Sequence, residues 1–221
     1  MRKCYTQALI RNENPFDVFE RYIDSEHNFS RIESSGSNMT ELKLKKNMKL
    51  KGDIFERFCQ VYLRHTQKYD DVWLLHEVPE HILITLNLSR RDMGIDLVCR
   101  KDGVFYAVQS KYRRCTGQTR ILSWNTLSTF YALCLRSGPW ASYVVMTNCD
   151  YVRRAGKKTT QDVSICLRTF RSLSHEDWIT MGNVTGNKMI DIESNTQSRP
   201  VQTVDALRNA RLAYLNRSTH S

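Results

Sequence analysis

Asp96, Gln109, Ser110 and Lys111 are the residues of this chain whose types and spacing could do chemistry. They lie at the two ends of the run Gly94-Ile-Asp-Leu-Val-Cys-Arg-Lys-Asp-Gly-Val-Phe-Tyr-Ala-Val-Gln-Ser-Lys111, with Asp102-Gly103 in the middle. Asp-Gly between two β-prone segments signals a two-residue hairpin turn. That turn fixes the register, pairing Lys101 with Val104 and Asp96 with Gln109. Strand alternation then places Asp96, Val98, Ala107, Gln109 and Lys111 on one face, and Ile95, Leu97, Cys99, Val104, Tyr106 and Val108 on the other. A carboxylate, a carboxamide and an ammonium therefore meet at the open end of a largely apolar hairpin. Polar groups at the edge of a buried sheet need partners, and a hard divalent cation is one. The Asp96 carboxylate, the Gln109 side-chain carbonyl and the Ser110 backbone carbonyl are oxygen donors of the kind Mg²⁺ takes. Lys111, next on the same face, could orient a nucleophilic water and stabilise negative charge on a phosphate. Taken singly, each side chain is ordinary: a strand-end aspartate, a solvated lysine. The joint pattern carries the reading.

The elements that must position these residues follow from periodicity. Asp53 to His65 repeats Ile54, Phe58, Val61 and Tyr62 at helical spacing, and Glu56 in its first turns could complete the site if this helix packs over the hairpin. Strands are expected at 72–75, 95–100, 104–111, 142–147 and 163–167, with an apolar helix over 124–135. The order predicts an α/β core, a mixed sheet flanked by helices. Upstream, Asn14 can cap and Pro15 can start a helix carrying Phe16, Phe19 and Ile23. The expected organisation is an N-terminal helical extension (1–33), a basic linker (34–49), a compact domain (50–182), a loose linker (183–200) and a C-terminal helix (201–221).

The 221 residues carry a formal net charge of +10, which favours a polyanionic partner without naming one. Arg90, Arg91, Arg113 and Arg114 flank the proposed site. Arg153, Arg154, Lys157 and Lys158 form a basic loop around Gly156. All eight are candidate phosphate contacts, with solvated strand ends as the plain alternative. The seven cysteines make no CxxC pair, so neither a disulfide framework nor a zinc site is expected, and a reducing intracellular compartment fits. No apolar run suits a membrane span, and no secretory leader is expected. There is no GxxxxGK[ST], so no P-loop ATPase site is expected.

The set Phe55-Glu56, Asp92-x-Gly94-Ile95-Asp96 and Gln109-x-Lys111-Tyr112, with Trp124 to Tyr131 and Val144 to Asn148 in the same order, resembles the PD-(D/E)xK nuclease superfamily. It is closest to the Mrr-like restriction endonuclease branch, including the nuclease domains of viral and bacterial helicase-nucleases. The resemblance covers about residues 50–180. It implies a restriction-endonuclease-like three-layer core and a Mg²⁺- or Mn²⁺-dependent endonuclease acting on DNA and leaving a 5′-phosphate. By the same resemblance Asp96 is the principal metal ligand, Gln109 stands where other branches have Glu, Lys111 is the catalytic lysine, and Glu56 is the helix carboxylate that ligates directly or through water. Ser110 replaces a Cys often found there, and its side chain is expected to point away from the site. A homodimer and a helicase partner are further implications. The alternatives are a DNA-binding module that has kept the fold and lost cleavage, and a scaffold for an acidic protein.

Overall fold

The computed structural model describes residues 1–26, 37–91, 94–154 and 159–185. The helix expected over 201–221, and Lys157 and Lys158, lie outside these residues. In chain order the elements are α1 (Arg2–Arg11), α2 (Pro15–Glu26), α3 (Ser37–His65), β1 (Asp71–Leu74), α4 (Glu80–Leu86), β2 (Leu97–Lys101), β3 (Val104–Lys111), β4 (Ile121–Ser123), α5 (Ser128–Arg136), β5 (Ser142–Thr147), β6 (Tyr151–Arg153), β7 (Asp162–Ile165), α6 (Leu167–Arg171) and α7 (His175–Thr185). Five strands form one mixed sheet in the order β1-β2-β3-β5-β7. The β1–β2 and β2–β3 pairs are antiparallel; β3–β5 and β5–β7 are parallel. Strand β3 is thus where the sheet changes from antiparallel to parallel pairing. A small parallel pair, β4–β6, lies outside the main sheet.

The hairpin forms in the expected register, with Lys101 opposite Val104 and Leu97 opposite Val108. Asp102 and Gly103 both hold positive φ at its turn, as a primed two-residue turn requires. The two faces of the sheet are buried separately. Leu97, Cys99, Val108, Val144 and Met146 pack with α1, α2, α3, α6 and α7. Val98, Ala107 and Val145 pack with α4 and α5. The result is the three-layer arrangement of helices, sheet and helices. Ile95 departs from the expected alternation: it precedes β2 and joins Val98 rather than Leu97.

Three expectations change. The helix read as starting at Asp53 begins at Ser37, so most of the segment read as a basic linker is helical. Lysine, leucine and glutamate are good helix formers, and no Pro or Gly interrupts Ser37 to Lys51. The first segment holds two helices rather than one, and α2 is a wall of the core. Phe16, Phe19 and Ile23 are buried, and Phe16 stacks on Phe170 and packs on Phe58 at ring separations of 5.0 and 5.4 Å. Asn14 caps α2 as expected, accepting from the Phe16 amide. Finally, α4 fills a stretch for which no element was expected. Its Ile82, Leu83 and Leu86 are buried and carry helical spacing over only two turns.

Gly94, two residues before Asp96, has φ +127°, and a Cβ there would lie 3.0 Å from the backbone of Phe130 in α5. The chain therefore lies directly against a helix just before the proposed ligand. Gly103 also has positive φ (+77°) but has open space around it. Gly94→Ala is expected to cost about 1–3 kcal/mol from backbone strain and displacement, and Gly103→Ala only the backbone part, about 1 kcal/mol. Urea unfolding of the two variants checks this; equal losses would contradict the close approach at Gly94.

Candidate active site

Asp96 sits in the last position before β2, where its backbone is held on both sides. Its amide donates to the Val108 carbonyl and its carbonyl accepts from the Leu75 amide, both at 2.9 Å. The side chain is held as firmly. Asp96 Oδ2 accepts from the Ser110 amide at 2.8 Å, from Gln109 Nε2 at 3.1 Å and from Ser110 Oγ at 3.2 Å. All three donors converge on one oxygen, and Oδ1 receives none of them. Gln109 and Ser110 are buried, while Asp96 and Lys111 are half-exposed. The meeting of Asp96 with Gln109 is the one the hairpin register called for. The Ser110 hydroxyl is a difference. It turns toward Asp96 because the aspartate, lying beyond the paired residues of β2, caps the end of β3 instead of continuing the ladder.

Glu56 lies on α3 between buried Phe55 and half-buried Arg57. Burial pushes its carboxyl up to about 7, the charges of Asp96 and Asp53 add to the rise, and Lys111 and Arg57 oppose it. Helix α3 therefore brings Glu56 into the field of Asp96 and Lys111. Beneath them, burial drives the Cys59 thiol well above its ordinary value, with Glu56 and Asp96 adding to the effect; Cys59 stays a neutral floor.

The oxygen donors that meet here are the Asp96 carboxylate and the Gln109 carboxamide, with Ser110 hydrogen-bonded to the same aspartate, and Glu56 lies in the field of Asp96. They suit a hard cation such as Mg²⁺ or Mn²⁺. Among the described residues no group of three or more His, Cys, Asp or Glu side chains could hold a metal ion.

The basic residues divide. Arg113, Arg114, Arg91 and Arg153 are exposed. Arg90 is partly committed, donating to the His76 carbonyl at 2.8 Å and pairing with Glu80 at 3.1 Å. Arg154, expected on DNA, is instead taken up inside the protein. It donates to the Tyr131 hydroxyl and to Ser164 Oγ, and it pairs with Asp162 at 3.1 Å. With its side chain only 12% exposed, it holds β7 to α5. The Glu77 carboxylate is also spoken for, by Arg57, Gln60 and the Leu74 amide.

Sequence reasoning missed the group just beyond Lys111. The Lys111 carbonyl accepts from Thr147 Oγ1 at 2.7 Å. Asn148, Arg120 and Glu20 of α2 follow in a buried network. Residues a hundred or more positions apart in sequence leave no local signal; the only hint was that Glu20 falls on a helix with a strongly apolar face.

A family model described as restriction endonuclease matches residues 63–185. The match spans β1 to α7, includes Asp96, Gln109, Ser110 and Lys111, and begins after Glu56. No curated protein and no solved structure matches the chain. No helix among the described residues is long and apolar enough to cross a membrane.

The Glu56 carboxyl is raised above its ordinary value of 4.5 to about 7, so the folded state holds its proton where the unfolded state has lost it. Its contribution to stability is complete below about pH 4.5 and is lost as pH rises to about 7. In the presence of a chelator, the urea midpoint of Glu56→Gln should fall less than that of the wild-type chain over this window. Parallel curves would place Glu56 outside the acidic cluster.

Proposed function

The chain belongs to the restriction endonuclease family, and from that premise we propose that it cuts DNA by hydrolysing phosphodiester bonds with a divalent cation, Mg²⁺ or Mn²⁺. The observation that carries this reading is the convergence of Gln109 and Ser110 on a single oxygen of Asp96. It immobilises the carboxylate while leaving its second oxygen to face a ligand, with Lys111 next along the strand.

In this reading Asp96, Gln109 and the Ser110 carbonyl hold the cation, and Glu56 ligates it directly or through water. When bound, the cation supplies positive charge where the phosphate accumulates negative charge. Lys111 keeps its ammonium beside the scissile phosphate and orients the attacking water. Gln109 in place of a carboxylate lowers the negative charge of the site, so the cation is held with less affinity than a three-carboxylate site would give. The exposed Arg91, Arg113, Arg114 and Arg153 contact phosphates, which position DNA without reading its sequence. Arg90, tied to His76 and Glu80, is a weaker contributor.

Supercoiled plasmid incubated with Mg²⁺ or Mn²⁺ tests this directly. The wild-type chain should nick and linearise it. Lys111→Ala and Asp96→Ala should each lose at least about 10²–10³-fold in rate, while their affinity for DNA in chelator stays within about threefold. Binding without cleavage by the wild-type chain over a wide range of cation concentration would establish a DNA-binding module instead. Undiminished cleavage by both variants would refute the site.

A further inference from the structure

The strand that carries Lys111 continues into Tyr112-Arg113-Arg114-Cys115, and this short arm is held by partners that the catalytic reading does not use. Asn148 grips the Arg113 backbone on both sides: its Oδ1 accepts from the Arg113 amide at 2.7 Å, and its Nδ2 donates to the Arg113 carbonyl at 2.6 Å. The same Nδ2 donates to Glu20 Oε1 at 2.6 Å. Arg120 donates through Nη1 to Glu20 Oε1 at 2.6 Å and to the Arg113 carbonyl at 3.3 Å, and through Nη2 to Glu20 Oε2 at 3.3 Å. On either side of Arg113, the Tyr112 hydroxyl donates to the Glu20 carbonyl at 3.3 Å, and the Cys115 amide donates to Asp24 Oδ2 at 3.0 Å. Asp24 in turn is paired with Lys51 of α3 at 3.0 Å.

Glu20 and Arg120 have side chains 2% and 9% exposed. A buried ion pair of this kind gives little net stability over apolar packing, because desolvation offsets the attraction. What it does give is a fixed geometry. Asn148 and Arg120 reach the backbone of Arg113, and Asp24 reaches that of Cys115, while the side chains of Arg113 and Arg114 remain exposed.

We propose that Glu20 is a positioning residue, which with Arg120 and Asn148 clamps the 112–115 arm to α2 so that Arg113 and Arg114 are presented as a rigid phosphate-binding pair beside Lys111. The ligand class is the phosphodiester backbone of nucleic acid. The proposal rests on the DNA-binding half of the proposed function, not on cleavage. A pre-ordered arm avoids the entropy of ordering its backbone on binding.

The test uses the full chain, a mixed-sequence DNA duplex and chelator to prevent cleavage. Glu20→Gln preserves the shape and one acceptor; Arg120→Lys preserves the charge and removes the fork. Both leave Arg113 and Arg114 in place. Amide hydrogen exchange is expected to accelerate at least tenfold at Arg113 and Cys115 in Glu20→Gln, while the Val98 and Ala107 amides in the hairpin keep their protection. DNA affinity is expected to fall about tenfold in both variants, toward that of an Arg113→Ala, Arg114→Ala double variant. Unchanged exchange at Arg113 and Cys115 would overturn the clamp. Exchange that rises equally in the hairpin would assign Glu20 to general stability and overturn it as well. A loosened arm with unchanged DNA affinity would overturn the positioning role. A wild-type chain that binds DNA without cutting it refutes the nuclease reading and leaves this test to be decided on its own terms; a chain that binds no DNA refutes the proposal.

Discussion

Three hydrogen bonds onto one carboxylate oxygen hold the centre of this molecule together. The Ser110 amide lies at the end of β3 and has no antiparallel partner, because β2 begins only at Leu97. Asp96 supplies the missing acceptor with its side chain. A backbone donor at a buried strand end must be satisfied, so the aspartate is needed structurally before it is needed chemically. The same bonds orient the carboxylate and distinguish its two oxygens, with Oδ2 taken up by the protein and Oδ1 receiving none of the three.

Around that point the fold is arranged by the change in sheet character at β3. On one side the pairing is antiparallel, and the β2–β3 hairpin places Asp96 and Gln109 together through a two-residue turn. On the other side the parallel strands β5 and β7 deliver Thr147 and Asn148 to the same end of the sheet. Ligand sites in α/β proteins gather where parallel strands end and the connections diverge, and here that end also receives the carboxylates of α2 and α3. Gly94 allows α5 to lie against the chain just ahead of Asp96, closing the site from the opposite face.

How much of this was legible in the sequence follows from the range of each interaction. The hairpin and its register were readable because Asp102-Gly103 is a local instruction, and β3 and β5 fall where their apolar runs place them. Ser110 was misjudged because alternation holds only inside a paired strand, and Asp96 lies just outside one. Arg154 was misjudged because composition shows a basic run and not the buried Asp162 that claims one member of it. Helix α4 is short enough that its spacing does not stand out. The Glu20, Arg120 and Asn148 network joins three distant segments, and no pattern within any one of them announces it.

The family likeness begins at residue 63, but the physical unit does not. Residues 1–185 make up one compact unit, and a boundary at 63 would cut through α3. On the discarded side lie Phe16 and Phe58, which cover Phe170, Phe19, which packs on Phe58, and the carboxylate that neutralises Arg120. A fragment holding only the matched stretch would bare an aromatic face. It would also leave a guanidinium and a carboxamide, both now inside the protein, turned toward water they were built to exclude. The stretch that carries the inherited pattern is therefore smaller than the compact unit, and the difference is made up by two helices and nearly all of a third.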